Sequence, residues 1–94
     1  MSVQWPEKVI FCEVGPRDGL QNEPSTLAVE RKIALIEGVA DAGVKIVEVG
    51  SFVHPKAVPQ MADTDEVART FRRVEGVEYR ALVANLKGVE RAMA

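Results

Sequence analysis

Cysteine and histidine are the scarcest reactive residues of this 94-residue chain, which has one of each, Cys12 and His54. A single cysteine cannot form an internal disulfide bond, and this is typical of a protein in a reducing compartment. Cys12 lies within an apolar run, where a free cysteine usually behaves as a small buried hydrophobic residue. His54 follows a predicted strand, in a loop where a lone histidine is more often a surface residue than a metal ligand.

The chain also lacks a strong excess of either charge and any long hydrophobic run. Twelve basic residues stand against fourteen acidic ones, for a net charge of −2, which gives no reason to expect nucleic acid or a membrane surface as a partner. No apolar segment approaches the roughly 20 residues of a transmembrane helix. The first residues, Met1–Lys8, resemble neither a signal peptide nor an arginine-rich transit peptide. We therefore expect a cytoplasmic protein.

What the sequence does contain is a regular alternation of strand-like and helix-like segments. Hydrophobic residues make up 47% of the chain and charged residues 28%, a globular composition in a chain long enough for one small domain. Nearly continuous apolar runs predict buried parallel strands over 9–14, 44–50 and 77–84. Helical spacing of apolar residues predicts helices over 27–42 and from Asp63 to a stop at Gly76, and a third helix over 87–94.

The ends and faces of these predicted helices follow from individual residues. In the first helix Arg31 and Lys32 lie on the polar side, and Gly43 stands where a left-handed residue usually ends a helix. In the second helix Asp63 and Glu66 have the spacing of a capping box, in which each side chain bonds a backbone N–H of the first turn.

A short pattern repeats along the chain at the ends of the predicted strands. Glu-Val-Gly at 13–15 recurs at 48–50, and a further step of about 35 residues reaches Val83. Eight such strand–helix steps come to about 280 residues, the size of a (β/α)8 barrel. We therefore expect an α/β fold, the N-terminal third of a (β/α)8 TIM barrel, with residues 1–94 as a single partial domain. Such a sheet would leave edges and apolar faces uncovered.

Polar residues of chemical interest follow each predicted strand. The catalytic face of a (β/α)8 barrel lies at the carboxyl ends of its strands. That face would carry Arg17, Asp18, Gln21, Glu48, Ser51, His54 and Asn85. A carboxylate such as that of Asp18 suits Mg²⁺ or Mn²⁺, and it equally suits a turn before Gly19. On charge content alone, adjacent Arg17 and Asp18 are more often a solvated ion pair than an active site.

Three segments resemble a known enzyme family. Residues 13–23 (EVGPRDGLQNE), 50–63 (GSFVHPKAVPQMAD) and 85–88 (NLKG) resemble, in order and spacing, motifs of the 3-hydroxy-3-methylglutaryl-CoA lyase family. Arg-Asp-Gly alone would be less specific, because metal-dependent aldol and Claisen enzymes share it more widely. The resemblance implies a (β/α)8 barrel that cleaves 3-hydroxy-3-methylglutaryl-CoA to acetyl-CoA and acetoacetate, a reaction of leucine degradation, with a divalent metal.

The resemblance also implies roles for individual residues. Asp18 would be a ligand of Mg²⁺ or Mn²⁺, whose other ligands, two histidines and an asparagine, come from later strands that these 94 residues do not contain. Arg17 would neutralise the enolate oxygen that develops at the thioester carbonyl. Glu48 would belong to the active site, with a supporting salt bridge to Arg17 as the alternative. Weaker contacts with the substrate are implied for Gln21, Ser51 and Asn85.

The implied partner is an acyl-CoA, and the full-length protein would be a homo-oligomer, a dimer. Lys56 and Lys87 could approach the CoA phosphates or remain solvated loop residues. The first alternative is a Claisen-type condensing enzyme or carboxyltransferase with the same Arg-Asp pair, although 19–23 and 55–61 argue against it. The second is a non-catalytic fragment that assembles with a partner. We expect the 94 residues alone to be inactive, because most of the implied metal ligands are missing.

Overall fold

The computed structural model describes residues 4–94 as a three-stranded parallel sheet with helices. The strands are β1 (Cys12–Glu13), β2 (Ile46–Phe52) and β3 (Glu78–Val83), and they lie in chain order with β2 in the centre. The helices are α1 (Val29–Asp41), α2 (Thr64–Thr70) and α3 (Leu86–Met93). Within the described residues no helix is long and apolar enough to cross a membrane. The alternation of parallel strands and helices confirms the predicted α/β class.

Helices α1 and α2 pack on one face of the sheet and form the core there. Five buried residues make up the central cluster: Ile36 of α1, Val47 and Val49 of β2, Val67 of α2, and Phe71. α1 ends where predicted, because Gly43 has a φ of 98°, a conformation that costs glycine little. On the opposite face of β2, the segment 15–21 that follows β1 packs over Glu48 and Ser51.

The first strand is much shorter than predicted. Residues 9–14 were expected to be covered on both faces, but β1 pairs with β2 through two residue pairs only. Val9, Ile10 and Phe11 are 77%, 68% and 63% exposed. The prediction was wrong because an apolar run can become a buried parallel strand only where neighbouring elements cover it.

The second helix is also shorter than predicted, and its capping box is absent. α2 ends at Thr70, because Phe71 turns to an extended conformation with ψ 147°. Its ring then packs 4.7 Å from that of Tyr79, whose hydroxyl accepts a hydrogen bond from the Val74 N–H at 2.9 Å. Asp63 makes no capping hydrogen bond. Tertiary contacts with β3 therefore outweigh the helical pattern that ran on to Gly76.

Lys32 corrects the predicted polar face of α1. It was assigned to the solvated side of the helix, but it is 2% exposed. Its ammonium group forms an ion pair with Asp63, whose carboxylate lies 2.5 Å away. This ion pair accounts for two differences from the prediction. Lys32 is buried because its charge is paired, and Asp63 does not cap α2 because its carboxylate binds the lysine of α1.

The register of the sheet differs from the repeat in the sequence. Glu13 pairs with Val47, so Glu13 and Glu48 point to opposite faces although both occupy the same place in Glu-Val-Gly. A β-bulge follows, because Glu48 pairs with Arg80 while Ser51 pairs with Leu82. Arg80 and Leu82 lie two residues apart on β3 and share a face. The bulge therefore brings Ser51 to the same face as Glu48, and this re-aiming of side chains is common beside active sites.

Candidate active site

A π-helical turn over Gly15–Gly19 carries the Arg-Asp pair at the carboxyl end of β1. The Val14 carbonyl accepts hydrogen bonds from the N–H groups of Arg17 and Gly19, at 3.1 and 3.2 Å. Pro16 is buried at the start of the turn, where its missing N–H leaves no unsatisfied donor. The turn therefore projects Arg17 sideways, toward the neighbouring strand β2.

Arg17 and Glu48 form the best-defined contact of this edge. The Nε and Nη2 atoms of Arg17 both lie 2.8 Å from Oε1 of Glu48. The two side chains are 18% and 22% exposed, so the pair is largely shielded from water. Charge-assisted bonds of this length fix the plane of the guanidinium group. Its Nη1 group lies toward Asp18, at a longer distance of 3.4 Å.

Asp18 is more open to solvent than its neighbour. Its side chain is 54% exposed, and Asn22 donates a hydrogen bond to its backbone carbonyl at 2.8 Å. The Asn22 amide also lies 3.4 Å from Oδ1 of Asp18. No three histidine, cysteine, aspartate or glutamate residues within 4–94 stand close enough together to hold a metal ion. Asp18 can thus supply one oxygen ligand, which is short of the six or so that Mg²⁺ requires.

Gln21 and Ser51 meet beside the ion pair. The Ser51 hydroxyl is fully buried and lies 3.4 Å from Oε1 of Gln21, within reach of a weak hydrogen bond. Gln21 belongs to the segment that begins with the π-helical turn, whereas Ser51 lies on β2 after the bulge. The structure therefore places four of the six predicted site residues in two contacting pairs, Arg17 with Glu48 and Gln21 with Ser51, and Asp18 lies at the solvent side.

Asn85 lies at the carboxyl end of β3 and caps α3. Its Oδ1 accepts a hydrogen bond from the Gly88 N–H at 2.9 Å. It also borders a groove of about 470 Å³ between the segment after β2 and α3, whose lining includes His54, Lys87, Glu90 and Arg91. His54 is exposed, and its Nδ1 accepts a hydrogen bond from the Lys56 N–H at 3.1 Å. Asn85 is thus on the predicted edge but does not touch Arg17 or Glu48 directly.

Sequence reasoning missed three residues that support the site. Cys12 lies on the same face as Glu48, with its Sγ 4.0 Å from Oε2. Gln60 donates a hydrogen bond to the Glu23 carbonyl at 2.7 Å and so joins the segments that follow β1 and β2. The Lys32 ammonium group contacts the Gln60 backbone carbonyl. The one signal in the sequence was the Pro-Gln-Met motif around Gln60, to which no role was assigned.

Comparison with known proteins identifies the family. The sequence model of the HMGL-like family matches residues 8–94. The chain belongs to the HMGL-like family. It is 53% identical over 88 residues to the 3-hydroxy-3-isohexenylglutaryl-CoA/hydroxy-methylglutaryl-CoA lyase of Pseudomonas aeruginosa. It is 47% identical over 89 residues to the mitochondrial hydroxymethylglutaryl-CoA lyase of Homo sapiens. These alignments cover 94–95% of this chain and 27–29% of the relatives.

Solved structures of HMGL-like proteins have the same fold over the matched part. A crystal structure of hydroxymethylglutaryl-CoA lyase from Pseudomonas aeruginosa superposes with a TM-score of 0.91 over 94% of this chain. An HMG-CoA lyase from Acinetobacter baumannii, solved in complex with coenzyme A and 3-methylmalate, superposes with a TM-score of 0.86 over 88% of this chain. The chain spans 29% and 27% of those structures, so its three strands correspond to part of a TIM barrel.

Proposed function

We propose that residues 1–94 form the N-terminal part of a TIM-barrel lyase domain that cleaves 3-hydroxy-3-methylglutaryl-CoA to acetyl-CoA and acetoacetate. The observation that carries this proposal is the Arg17–Glu48 pair at the carboxyl edge of the sheet, in a chain of the HMGL-like family. The dual name of the Pseudomonas relative supports a substrate class of branched 3-hydroxyglutaryl-CoA thioesters.

Arg17 stabilises the negative charge that grows on the thioester oxygen as the carbon–carbon bond breaks. Glu48 engages Nε and Nη2 through one oxygen, whereas Nη1 has only the longer contact of 3.4 Å with Asp18 and can therefore turn to a substrate atom. A fixed cation aimed at developing charge in a shielded site lowers the barrier by several kcal/mol. Glu48 contributes by holding the guanidinium plane, since both of its short bonds are to Arg17.

Asp18 supplies one oxygen to a divalent metal, Mg²⁺ or Mn²⁺, in the whole protein. Its carboxylate is the hard ligand that such ions prefer, and its exposure leaves room for an ion. When bound, such an ion polarises the oxygens of its substrate. The described residues do not complete a site, and we therefore expect the 94 residues alone to release no acetoacetate even with Mg²⁺ present. Turnover by the isolated chain would contradict this expectation.

Gln21, Ser51 and Asn85 contact the substrate in this proposal, and the groove beside α3 receives part of the CoA moiety. Lys87 at that groove supplies positive charge for phosphate groups, whereas Arg91 there is paired with Asp65. The whole protein is proposed to be a cytoplasmic homodimer. The mammalian relatives are named as mitochondrial proteins.

A chimera tests the proposal directly. This chain replaces the matching segment of the Pseudomonas aeruginosa lyase, and acetoacetate release from 3-hydroxy-3-methylglutaryl-CoA is measured with Mg²⁺. We expect activity in the parent chimera and a kcat about 10²–10³-fold lower in Arg17→Gln, the usual loss for one electrostatic stabiliser. Arg72→Gln is the control, because Arg72 pairs with Asp41 on the exposed surface. A folded but inactive parent, or equal kcat in Arg17→Gln and Arg72→Gln, would refute the proposal.

Metal binding is tested separately in the same chimera. Asp18→Ala is expected to weaken Mg²⁺ binding, because one anionic oxygen ligand is lost. Titration calorimetry measures the affinity, with Asp41→Ala, an exposed carboxylate of α1, as the matched control. An unchanged affinity for Mg²⁺ in Asp18→Ala would remove Asp18 from the metal site.

A further inference from the structure

Lys32 is an unusual buried residue that the proposed reaction does not use. Its side chain is 3% exposed, although lysine is almost never fully buried unless its charge is paired. The ammonium group donates to Oδ1 of Asp63 at 2.5 Å and also to the Gln60 backbone carbonyl. Both acceptors lie in the segment between β2 and α2. The lysine of α1 is thus the anchor of that segment.

Gln60 connects Lys32 to the segment that carries the Arg-Asp pair. While its carbonyl binds Lys32, its side-chain amide donates to the Glu23 carbonyl at 2.7 Å. Glu23 follows closely after Gln21, which meets Ser51 of β2. The segment from Gly15 to Glu23 is therefore held at its start by β1 and at its end by the amide of Gln60.

We propose that Lys32, acting through Gln60, is a positioning residue that sets where Arg17 and Gln21 stand relative to β2. The proposal rests on the proposed lyase function for its kinetic consequence. The Lys32 ammonium group bonds Gln60 and Asp63 and makes no hydrogen bond or ion pair with Glu48. Small displacements of a stabilising group are costly, since a misplacement of about 1 Å can lower a rate by about 10²-fold. Loss of the anchor should accordingly lower kcat more than it raises KM.

Three variants of the chimera separate positioning from general stability. Lys32→Met removes the bonds to Gln60 and Asp63 while keeping the buried volume. Lys32→Met/Asp63→Asn also removes the carboxylate that would otherwise be left without its cation. Gln60→Met leaves the backbone carbonyl on Lys32 and breaks only the tie to Glu23. We expect all three to have a kcat at least about tenfold lower and a smaller rise in KM, although the last two should unfold at nearly the parental temperature.

Hydrogen exchange tests the anchor without requiring activity. Amides of residues 15–23 should exchange at least about tenfold faster in Lys32→Met/Asp63→Asn and in Gln60→Met than in the parent, whereas amides of β2 should not change. Unchanged exchange in 15–23, or parental kcat in these stable variants, would overturn the role of Lys32. Failure of the lyase function is recognised separately, because the parent chimera would then lack activity whatever the exchange of 15–23.

Discussion

Arg17 shows how one residue can be fixed and still be available for chemistry. Its Nε and Nη2 atoms share a single carboxylate oxygen of Glu48 at 2.8 Å, and the pair is mostly shielded from water. The sequence left two roles open for Glu48, membership of the active site or a salt bridge to Arg17. The geometry shows the salt bridge, which orients the guanidinium group at the edge of the sheet, and a place for Glu48 in the active site stays a proposal.

Removal of Glu48 should therefore affect stability as well as catalysis. In the chimera, Glu48→Ala leaves a largely buried guanidinium group without its acceptor, which should lower the free energy of unfolding by about 1–3 kcal/mol. Glu48→Gln keeps an acceptor oxygen and should lower the free energy of unfolding by a smaller amount. Urea denaturation measures the free energies, and Glu90→Ala on the exposed side of α3 serves as the control. Equal stability of Glu48→Ala and the control would show that the ion pair contributes nothing.

At the scale of elements, the end of β2 is shaped by a bulge and by the close approach of α3. The bulge brings Glu48 and Ser51 to one face, which a regular strand could not do, because residues three apart point to opposite faces. Asn85 begins α3 by accepting the Gly88 N–H, and Gly88 lies directly against the Phe52 carbonyl. The Asn-Leu-Lys-Gly motif therefore serves to dock α3 on β2.

Two glycines on helices should respond in opposite directions to the same substitution. A Cβ added at Gly88 would lie 2.5 Å from the Phe52 carbonyl oxygen, whereas one added at Gly38 of α1 would meet nothing within 4 Å. In the chimera, Gly88→Ala should destabilise by about 1–3 kcal/mol through overpacking. Gly38→Ala should stabilise by about 0.5–1 kcal/mol, the usual gain in a helix. Thermal and urea unfolding measure the change in stability for each variant. Stabilisation by Gly88→Ala would contradict the close contact with Phe52.

The whole molecule is more open than a complete domain of its length. Its radius of gyration is 14.7 Å, against about 12 Å expected for a compact domain of this size. Its accessible surface is 6580 Å², against about 5,400 Å² expected from the mass. The excess includes Val9–Phe11 before β1 and an apolar stripe on α3, formed by Leu86, Val89 and Met93. In the proposed domain we expect further barrel elements to pack against these surfaces.

The isolated chain should consequently self-associate. Leu86 and Met93 are 72% and 82% exposed, and contiguous apolar surface of this kind favours association in water. Sedimentation velocity over a range of concentrations should show species larger than the monomer, fewer of them in Leu86→Gln/Met93→Gln. Leu35→Gln on α1 is the control, because Leu35 is only 37% exposed and lies outside the stripe. A monomer at every concentration would contradict the prediction.

The sequence by itself determined the order of strands and helices, the stop of α1 at Gly43 and, through its motifs, the family. These features are local, because burial patterns and turn residues act within a few positions of the chain. It did not determine that β1 is short, that Lys32 is buried or that Ser51 shares a face with Glu48. Only the tertiary structure decided those points, since each depends on residues about 30 positions apart that the parallel topology brings into contact.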